Sequence, residues 1–170
     1  MNLPLLTVPH DGGRMVDATL DQLTAAGVPA DAILAAVRPV LKKQVDDEAE
    51  KLRLELITPG SGQAMEYQEV YNEAVQIANA LAANAAADLD PTAFPMLAGS
   101  IGTNLDPKTE RATVDVAGEA RAALAAYDAY QKVGAAIRSA RLKGKAAIDA
   151  AADVTAACEV AASIDWPPLP

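Results

Sequence analysis

The fold is decided by the stretch from residue 109 to residue 152, which reads TERATVDVAGEARAALAAYDAYQKVGAAIRSARLKGKAAIDAAA and contains no proline. Apolar and small residues recur there at helical spacing, which predicts a long helix. Gly118, Gly134 and Gly144 each cost a helix about 1 kcal/mol relative to alanine and mark places where it could break. A helix of this length is more often part of a coiled coil or helical hairpin than of a compact globule. The predicted stripe consists of Val116, Ala120, Leu124, Tyr127, Gly134, Ile137, Arg141 and Ile148.

The composition extends the helical prediction to the rest of the chain. Of the 170 residues, 51% are hydrophobic but only 4% are aromatic, and alanine, the best helix former, dominates the apolar share. Alanine buries little surface, so thin, closely packed helix contacts are favoured over a bulky core. We therefore predict an all-α protein, an elongated helical hairpin or bundle with a long C-terminal helix, for which coiled-coil packing is one option. One helical domain is expected over residues 14–170, after an extended N-terminal arm.

Proline and glycine divide the N-terminal half. Residues 1–13 carry two prolines and two glycines, which predicts an extended arm rather than a helix. A helix is expected over 15–26, a second one from Asp31, and a kink or restart at Pro39. The acidic helix that follows should stop at Thr58-Pro59-Gly60, with Gly60 as its left-handed C-cap. The sequence holds no convincing strand pair.

Three features invite a catalytic or binding interpretation, and each has a simpler one. The loop Gly60-Ser61-Gly62 precedes a helix, as phosphate-binding loops do, but it lacks the lysine of a P-loop, which favours a joint between helices. His10 beside Asp11 could act as a general base, although neighbours in an extended segment seldom reach that geometry. The acidic run over residues 46–50 lacks the alternating ligands of a calcium loop, so it is interpreted as a solvated helix face.

Charge excludes some partners. The formal net charge of −9 argues against general binding to nucleic acid or anionic lipid, because such binding is built from lysine and arginine. A basic cluster nevertheless lies near the C-terminus, and we expect it to pair with the acidic helix around residues 46–50, within the chain or in a neighbouring copy. This cluster consists of Arg138, Arg141, Lys143 and Lys145.

The cysteine and histidine content and the hydropathy of the sequence limit which kinds of disulfide, metal site and membrane association are possible. Cys158 is the only cysteine and His10 the only histidine, so neither an intrachain disulfide nor a Cys/His zinc cluster can form. No apolar run approaches the roughly 20 residues that span a bilayer, so membrane insertion is not expected. We expect no cofactor and no metal.

Three stretches together resemble a known family. RLELITPGSGQAMEYQEVYNEA at 53–74 is similar to the TPG-G-Q-A-M-x-Y-Q segment of an uncharacterised helical domain of tailed-phage and prophage tail fibre proteins. FPMLAGSIG at 94–102 matches the short Y-P-M/L-L-A element of such domains. RLKGKAAIDAAADVTAACEVAASIDWPP at 141–168 resembles their K-A-A-I-D-A-A … I-D-W-P ending. The likeness covers roughly residues 45–168 in the expected order, without a strand-rich shaft or receptor-binding head.

This resemblance implies a virion or virion-assembly role without catalysis, in which trimers are common. The prediction is a non-enzymatic structural component of a bacteriophage or prophage tail, in the virion tail and, during assembly, in the host cytoplasm. Its partners would be other phage tail proteins and further copies of itself, with a trimer favoured. The alternative is a tail fibre assembly chaperone that is absent from the mature virion. The residues expected at the oligomer or partner interface are Leu5, Leu6, Val8, Leu124, Tyr127, Ile137 and Trp166.

Overall fold

The structure, a computed structural model, describes residues 3–57 and 60–169, without the side chain of Ser61. The chain is mainly helical but includes two strand pairs, so it is not purely α as predicted. It forms two compact units, unit 1 (Met1–Glu55 with Gly134–Pro170) and unit 2 (Leu56–Val133). In chain order the elements are β1 (Leu6–His10), β2 (Gly13–Ala18), α1 (Leu20–Ala25), α2 (Ala30–Leu54), α3 (Ser61–Ala83), a 3₁₀ turn (Pro91–Ala93), α4 (Pro95–Ala98), β3 (Leu105–Asp106), β4 (Arg111–Ala112), α5 (Val116–Ala150) and α6 (Val154–Ala162).

Unit 1 begins with a β-hairpin where the sequence predicted an extended arm. β1 and β2 pair antiparallel, with Val8 opposite Met15. The turn residues Asp11 and Gly12 have φ angles of +45° and +73°, the sign that a type I′ turn requires and that Asp-Gly supplies. The backbone of residues 6–10 is extended, and the expectation that the sequence holds no strand pair is wrong. Residues 1–2 lie outside the described part.

The first helix is shorter than predicted. Residues 15–18 belong to β2, so the helix expected over 15–26 is confined to α1. Thr19 caps it, because its hydroxyl accepts the N–H of Gln22 while the Gln22 side chain accepts the N–H of Thr19. This reciprocal capping box satisfies two backbone donors and fixes where the helix begins.

Helix α2 runs without interruption through Pro39, so the predicted restart there is wrong. Proline removes one backbone hydrogen bond and disfavours a helix interior. On either side of it, however, Val37 and Leu41 are fully buried in the core of unit 1. Tertiary packing of the apolar stripe therefore overrides the local preference. The buried residues of α2 are Ile33, Leu34, Val37, Leu41, Val45 and Ala49.

The long helix is single, because α5 continues through Gly118, Gly134 and Gly144. Gly144 is buried, and a Cβ added there would lie only 2.5 Å from Cδ1 of Ile164. The glycine therefore makes room for the C-terminal segment of unit 1, whose Trp166 also packs against the core. Asp153 caps α6 as its position suggests, by accepting the N–H of Ala156 at 2.8 Å.

The predicted pairing of the basic cluster with the acidic helix is found within unit 1. Arg141 and Lys145 contact the Asp46 carboxylate at 3.1 and 2.6 Å. The hydrogen bond from Lys145 is the main cause that holds the pKa of Asp46 below its ordinary value, and Arg141 adds to it. A neighbouring pair joins Lys42 to Asp149 at 2.8 Å. These contacts tie α2 to the C-terminal half of α5.

In unit 2 the role of Gly60 differs from the prediction. α2 ends at Leu54 with Glu55 as its C-cap, so Gly60 is not the C-cap of that helix. Gly60 instead occupies the N-cap position of α3, with φ +152° and ψ +136°, a conformation that is essentially restricted to glycine. The other two residues of the predicted stop, Thr58 and Pro59, lie outside the described residues.

The described helices include none with the length and apolar character needed to cross a membrane.

Candidate functional site

A cavity of about 560 Å³ opens in unit 2. All four tyrosines of the chain line it, and we call it the tyrosine cavity. Its volume falls within the range of about 300–1,000 Å³ that is typical of small-molecule sites. The tyrosines are Tyr67, Tyr71, Tyr127 and Tyr130.

Helical spacing brings these side chains to the same cavity. On α3, Ala64, Tyr67, Gln68 and Tyr71 follow one another at intervals that place them on one face. On α5 the cavity is lined by residues spaced in the same way, from Glu119 through three alanines to the tyrosines. The alanines leave open the space that larger side chains would fill. They are Ala122, Ala123 and Ala126.

Two of the tyrosines, one from each helix, pack against each other. The ring centroids of Tyr71 and Tyr127 are 4.0 Å apart, and the ring planes are inclined by 33°. Aromatic pairs stabilise a structure by about 0.5–1.5 kcal/mol beyond the area they bury when their centroids are about 4.5–7 Å apart, and this pair is closer. This contact fixes one wall of the tyrosine cavity.

A buried carboxyl group also lines the cavity. Glu119, in the first turn of α5, is only 1% exposed. Its Oε1 accepts a hydrogen bond from the hydroxyl of Thr113, and its Oε2 accepts one from the side-chain amide of Asn104 at 2.8 Å. The Thr113 oxygen in turn accepts the N–H of Gly102, so its own proton is directed to Glu119. No lysine, arginine or histidine is among the described residues that line this cavity.

A second buried carboxylate holds the adjoining β3–β4 loop. Asp106 accepts two hydrogen bonds from the guanidinium of Arg121, at 2.9 and 2.6 Å, and one from the N–H of Lys108. The hydrogen bond to Arg121 is the main cause that lowers the pKa of Asp106 from 3.8 to about 2. Because Arg121 lies on α5 and Asp106 on β3, this pair secures the β3–β4 hairpin, which Asn104 directly precedes.

A third buried carboxylate supports α4. Glu73 of α3 is 8% exposed and accepts the N–H groups of Met96 and Leu97 at 3.2 and 3.0 Å. These donors lie in the first turn of α4 and have no partner within their own helix. Glu73 thereby positions Leu97 and Ser100, which both line the tyrosine cavity.

Another candidate surface is a face of α5 that we call the alanine face. Its residues are spaced alternately four and three apart, as in a heptad repeat, and all are exposed. Four of the five are alanine or serine, which would let a second helix approach closely. The face lies in the unit 1 part of α5 and consists of Ala136, Ser139, Lys143, Ala146 and Ala150.

The residues predicted at an interface are distributed between interior and surface. Leu6, Val8 and Ile137 are almost completely buried, at 3%, 0% and 0% exposure, so their apolar groups are covered by their own chain. Trp166 packs half-buried against the core of unit 1, and Leu124 packs half-buried against the core of unit 2. Leu5 is 57% exposed, and Tyr127, 39% exposed, lines the tyrosine cavity.

The other sequence candidates occupy ordinary positions. His10 lies 3.2 Å from Asp11 at the hairpin turn, where the Asp11 side chain is 88% exposed. Gly60 lines the tyrosine cavity. Cys158 packs half-buried against the core of unit 1. Within residues 3–57 and 60–169, no three histidine, cysteine, aspartate or glutamate residues are grouped so that they could hold a metal ion.

Sequence reasoning missed the tyrosine cavity as a site. One signal was present, because Tyr67 and Tyr71 are four residues apart and Tyr127 and Tyr130 three apart, so each pair shares a helix face. Nothing local indicated that the two faces meet, or that Glu119 lies among them. Comparison of the chain with protein-family models, with curated proteins and with solved structures finds no match.

Proposed function

We propose that this protein is a non-enzymatic structural component of a bacteriophage or prophage tail, associated with the tail fibre, that assembles through its helices. The ordered likeness of residues 53–74, 94–102 and 141–168 to the helical domain of tail fibre proteins supports the tail assignment. The observation that carries the assembly mode is the alanine face of α5. A second copy of the chain is its proposed occupant, with a trimer as the favoured state.

The geometry of the alanine face suits contact between copies. Small side chains at alternating four- and three-residue spacing allow helices to pack closely along their length. Lys143 interrupts the face, and a single lysine at such a position selects the register and number of helices at some cost in stability.

Light scattering on the purified protein tests assembly. We expect a mass that is a multiple of the chain mass of 17.5 kDa, three times that mass if the trimer forms. Ala136→Glu and Ala146→Glu place carboxylates on the alanine face and should return the mass to that of one chain. Gln131→Glu is the matched control, because Gln131 is exposed on α5 but outside that face.

Mass spectrometry of purified virions tests the tail assignment. The structural role requires the chain in virions of the phage or prophage that encodes it, and in their tail fraction. Absence from virions combined with capture of fibre proteins from infected cells would instead support the assembly chaperone. A stable monomer that binds no tail protein would contradict both roles.

A further inference from the structure

We propose that the tyrosine cavity is a binding site for an alkylated ammonium group, such as a quaternary ammonium. The inference is independent of the tail assignment. It rests on three observations within unit 2: a cavity of about 560 Å³, the convergence of all four tyrosines on it, and one buried carboxylate among its lining residues.

The tyrosines supply the first part of the recognition. The face of an aromatic ring carries partial negative charge and attracts a cation within about 6 Å of its centre. Several aromatic rings on one cavity are the groups from which cages for quaternary ammonium ligands are built, although Tyr71 and Tyr127 also pack on each other. Such a ligand also presents methyl groups, which suit the apolar alanine and leucine side chains of the same walls.

Glu119 supplies the second part. Its carboxylate is buried, so the surrounding low dielectric strengthens its attraction for a cation. Among the described residues, no cationic side chain forms a salt bridge with it. Both of its oxygens already accept hydrogen bonds, from Thr113 and Asn104. The favoured ligand carries its positive charge inside a shell of methyl groups, because the tyrosine rings and alanines of the walls suit methyl groups better than the N–H donors of a primary amine.

The remainder of the lining agrees with a cation of this kind. No basic side chain among the described lining residues would repel it. Gln68, Ser100 and Asn104 provide neutral polar groups for any hydroxyl or amide attached to the ammonium. The same chemistry could come from a free small molecule or from a trimethyllysine side chain of a protein, so the experiment includes both.

The test uses the full chain with ring-labelled tyrosine, because every tyrosine signal then reports on the tyrosine cavity. Three probes are titrated: choline, Nα-acetyl-trimethyllysine amide, and 3,3-dimethylbutan-1-ol, which has the shape of choline without its charge. At least one ammonium probe should bind about tenfold or more tightly than the neutral alcohol. Binding of choline supports a free ligand, and binding of the lysine derivative alone supports a protein side chain.

Two variants assign the binding to this site. Glu119→Gln keeps the size of the side chain and should abolish the preference for the charged probe over the alcohol. Glu119→Gln also alters the hydrogen bonds to Thr113 and Asn104, so a second variant tests the site independently. Ala126→Leu places a larger side chain in the cavity from an exposed wall position and should abolish binding. Ala135→Leu, exposed on the same helix but not lining the cavity, should bind like the unchanged protein.

The proposal fails if neither ammonium probe shifts the tyrosine signals, or if the neutral alcohol binds as tightly as choline. It fails equally if Ala126→Leu binds as well as Ala135→Leu, because the ligand would then lie elsewhere. The results of light scattering and of virion mass spectrometry do not affect this binding test, so either proposal can be rejected without rejecting the other.

Discussion

The two units of this chain stabilise their interiors in different ways. Unit 1 buries a cluster of aliphatic residues, with Asp46 and its two basic partners at the edge of it. Unit 2 has a smaller apolar cluster, and it contains all the buried polar residues found in the described chain. They are Glu73, Asp106, Thr113 and Glu119.

The two kinds of interior differ in how much open space they tolerate. An aliphatic core is close-packed and leaves little free volume. A unit whose loops are held by buried carboxylates can tolerate an open cavity, because hydrogen bonds to Glu73, Asp106 and Glu119 fix those loops without filling the space between helices. Unit 2 is accordingly the better host for a ligand. Substitutions in each unit test this difference.

The largest expected effect is in the aliphatic core. Leu41→Ala removes a completely buried side chain from unit 1 and should lower the free energy of unfolding by about 2–5 kcal/mol. Urea unfolding followed by the fluorescence of Trp166, which packs against the same core, measures it. Leu142→Ala is the control, because Leu142 is 45% exposed. Equal effects of the two substitutions would refute the contrast between core and surface.

The next effect concerns the buried carboxylate of the β3–β4 loop. The lowered pKa of Asp106 means that its ionised form stabilises unit 2 above pH 3.8 and that this contribution is lost as the pH falls toward 2. Asp106→Asn should therefore lower the melting temperature at pH 7 and reduce its decline between about pH 4 and 2. Thermal unfolding followed by the tyrosine signals measures both.

A comparison with Glu110→Gln controls that experiment, since Glu110 lies in the same loop and is exposed. If the melting temperatures of Asp106→Asn and Glu110→Gln depend on pH in the same way, the ion pair between Asp106 and Arg121 does not hold the loop.

A smaller effect is expected where α3 begins. Gly60→Val should destabilise unit 2 by about 1–3 kcal/mol, because φ +152° is strained for a residue with a side chain. Neither Gly60 nor Gly62 would meet another atom with an added Cβ. Gly62→Ala, inside α3, should instead stabilise by up to about 1 kcal/mol. Equal melting temperatures for the two variants would show that backbone strain at Gly60 is absent.

The smallest effect is expected at the edge of unit 1. Asp46→Asn removes the ion pairs with Arg141 and Lys145, but the Asp46 side chain is 38% exposed. Solvent screening limits the loss to about 0.5–1 kcal/mol. Asp47→Asn, which breaks only the exposed pair with Lys43, should cost less. The two are compared by urea unfolding at low and high salt, and a larger loss for Asp47→Asn would be inconsistent with the structure.

Local sequence signals determined most of the helices. The proline-free stretch predicted α5 as a long helix, and the start expected near Asp31 agrees with α2. The pairing of Arg141 and Lys145 with the acidic helix also followed from charge alone. These features depend on neighbours along the chain or on opposite charges, which a sequence displays directly. The Asp11-Gly12 turn was equally local, and its hairpin was missed because the prolines and glycines around it suggested only an extended arm.

The remaining features depend on contacts between residues that are distant in sequence. Helical period specifies which face of α3 carries Tyr67 and Tyr71 and which face of α5 carries Tyr127, but not that those faces meet. Glu119 acquires its partners through a loop whose course depends on Asp106 and Arg121. Pro39 remains helical because packing on both sides outweighs one lost hydrogen bond. Such outcomes depend on free energies summed over residues distant in sequence, so the cavity and its chemistry emerge only when the chain is folded.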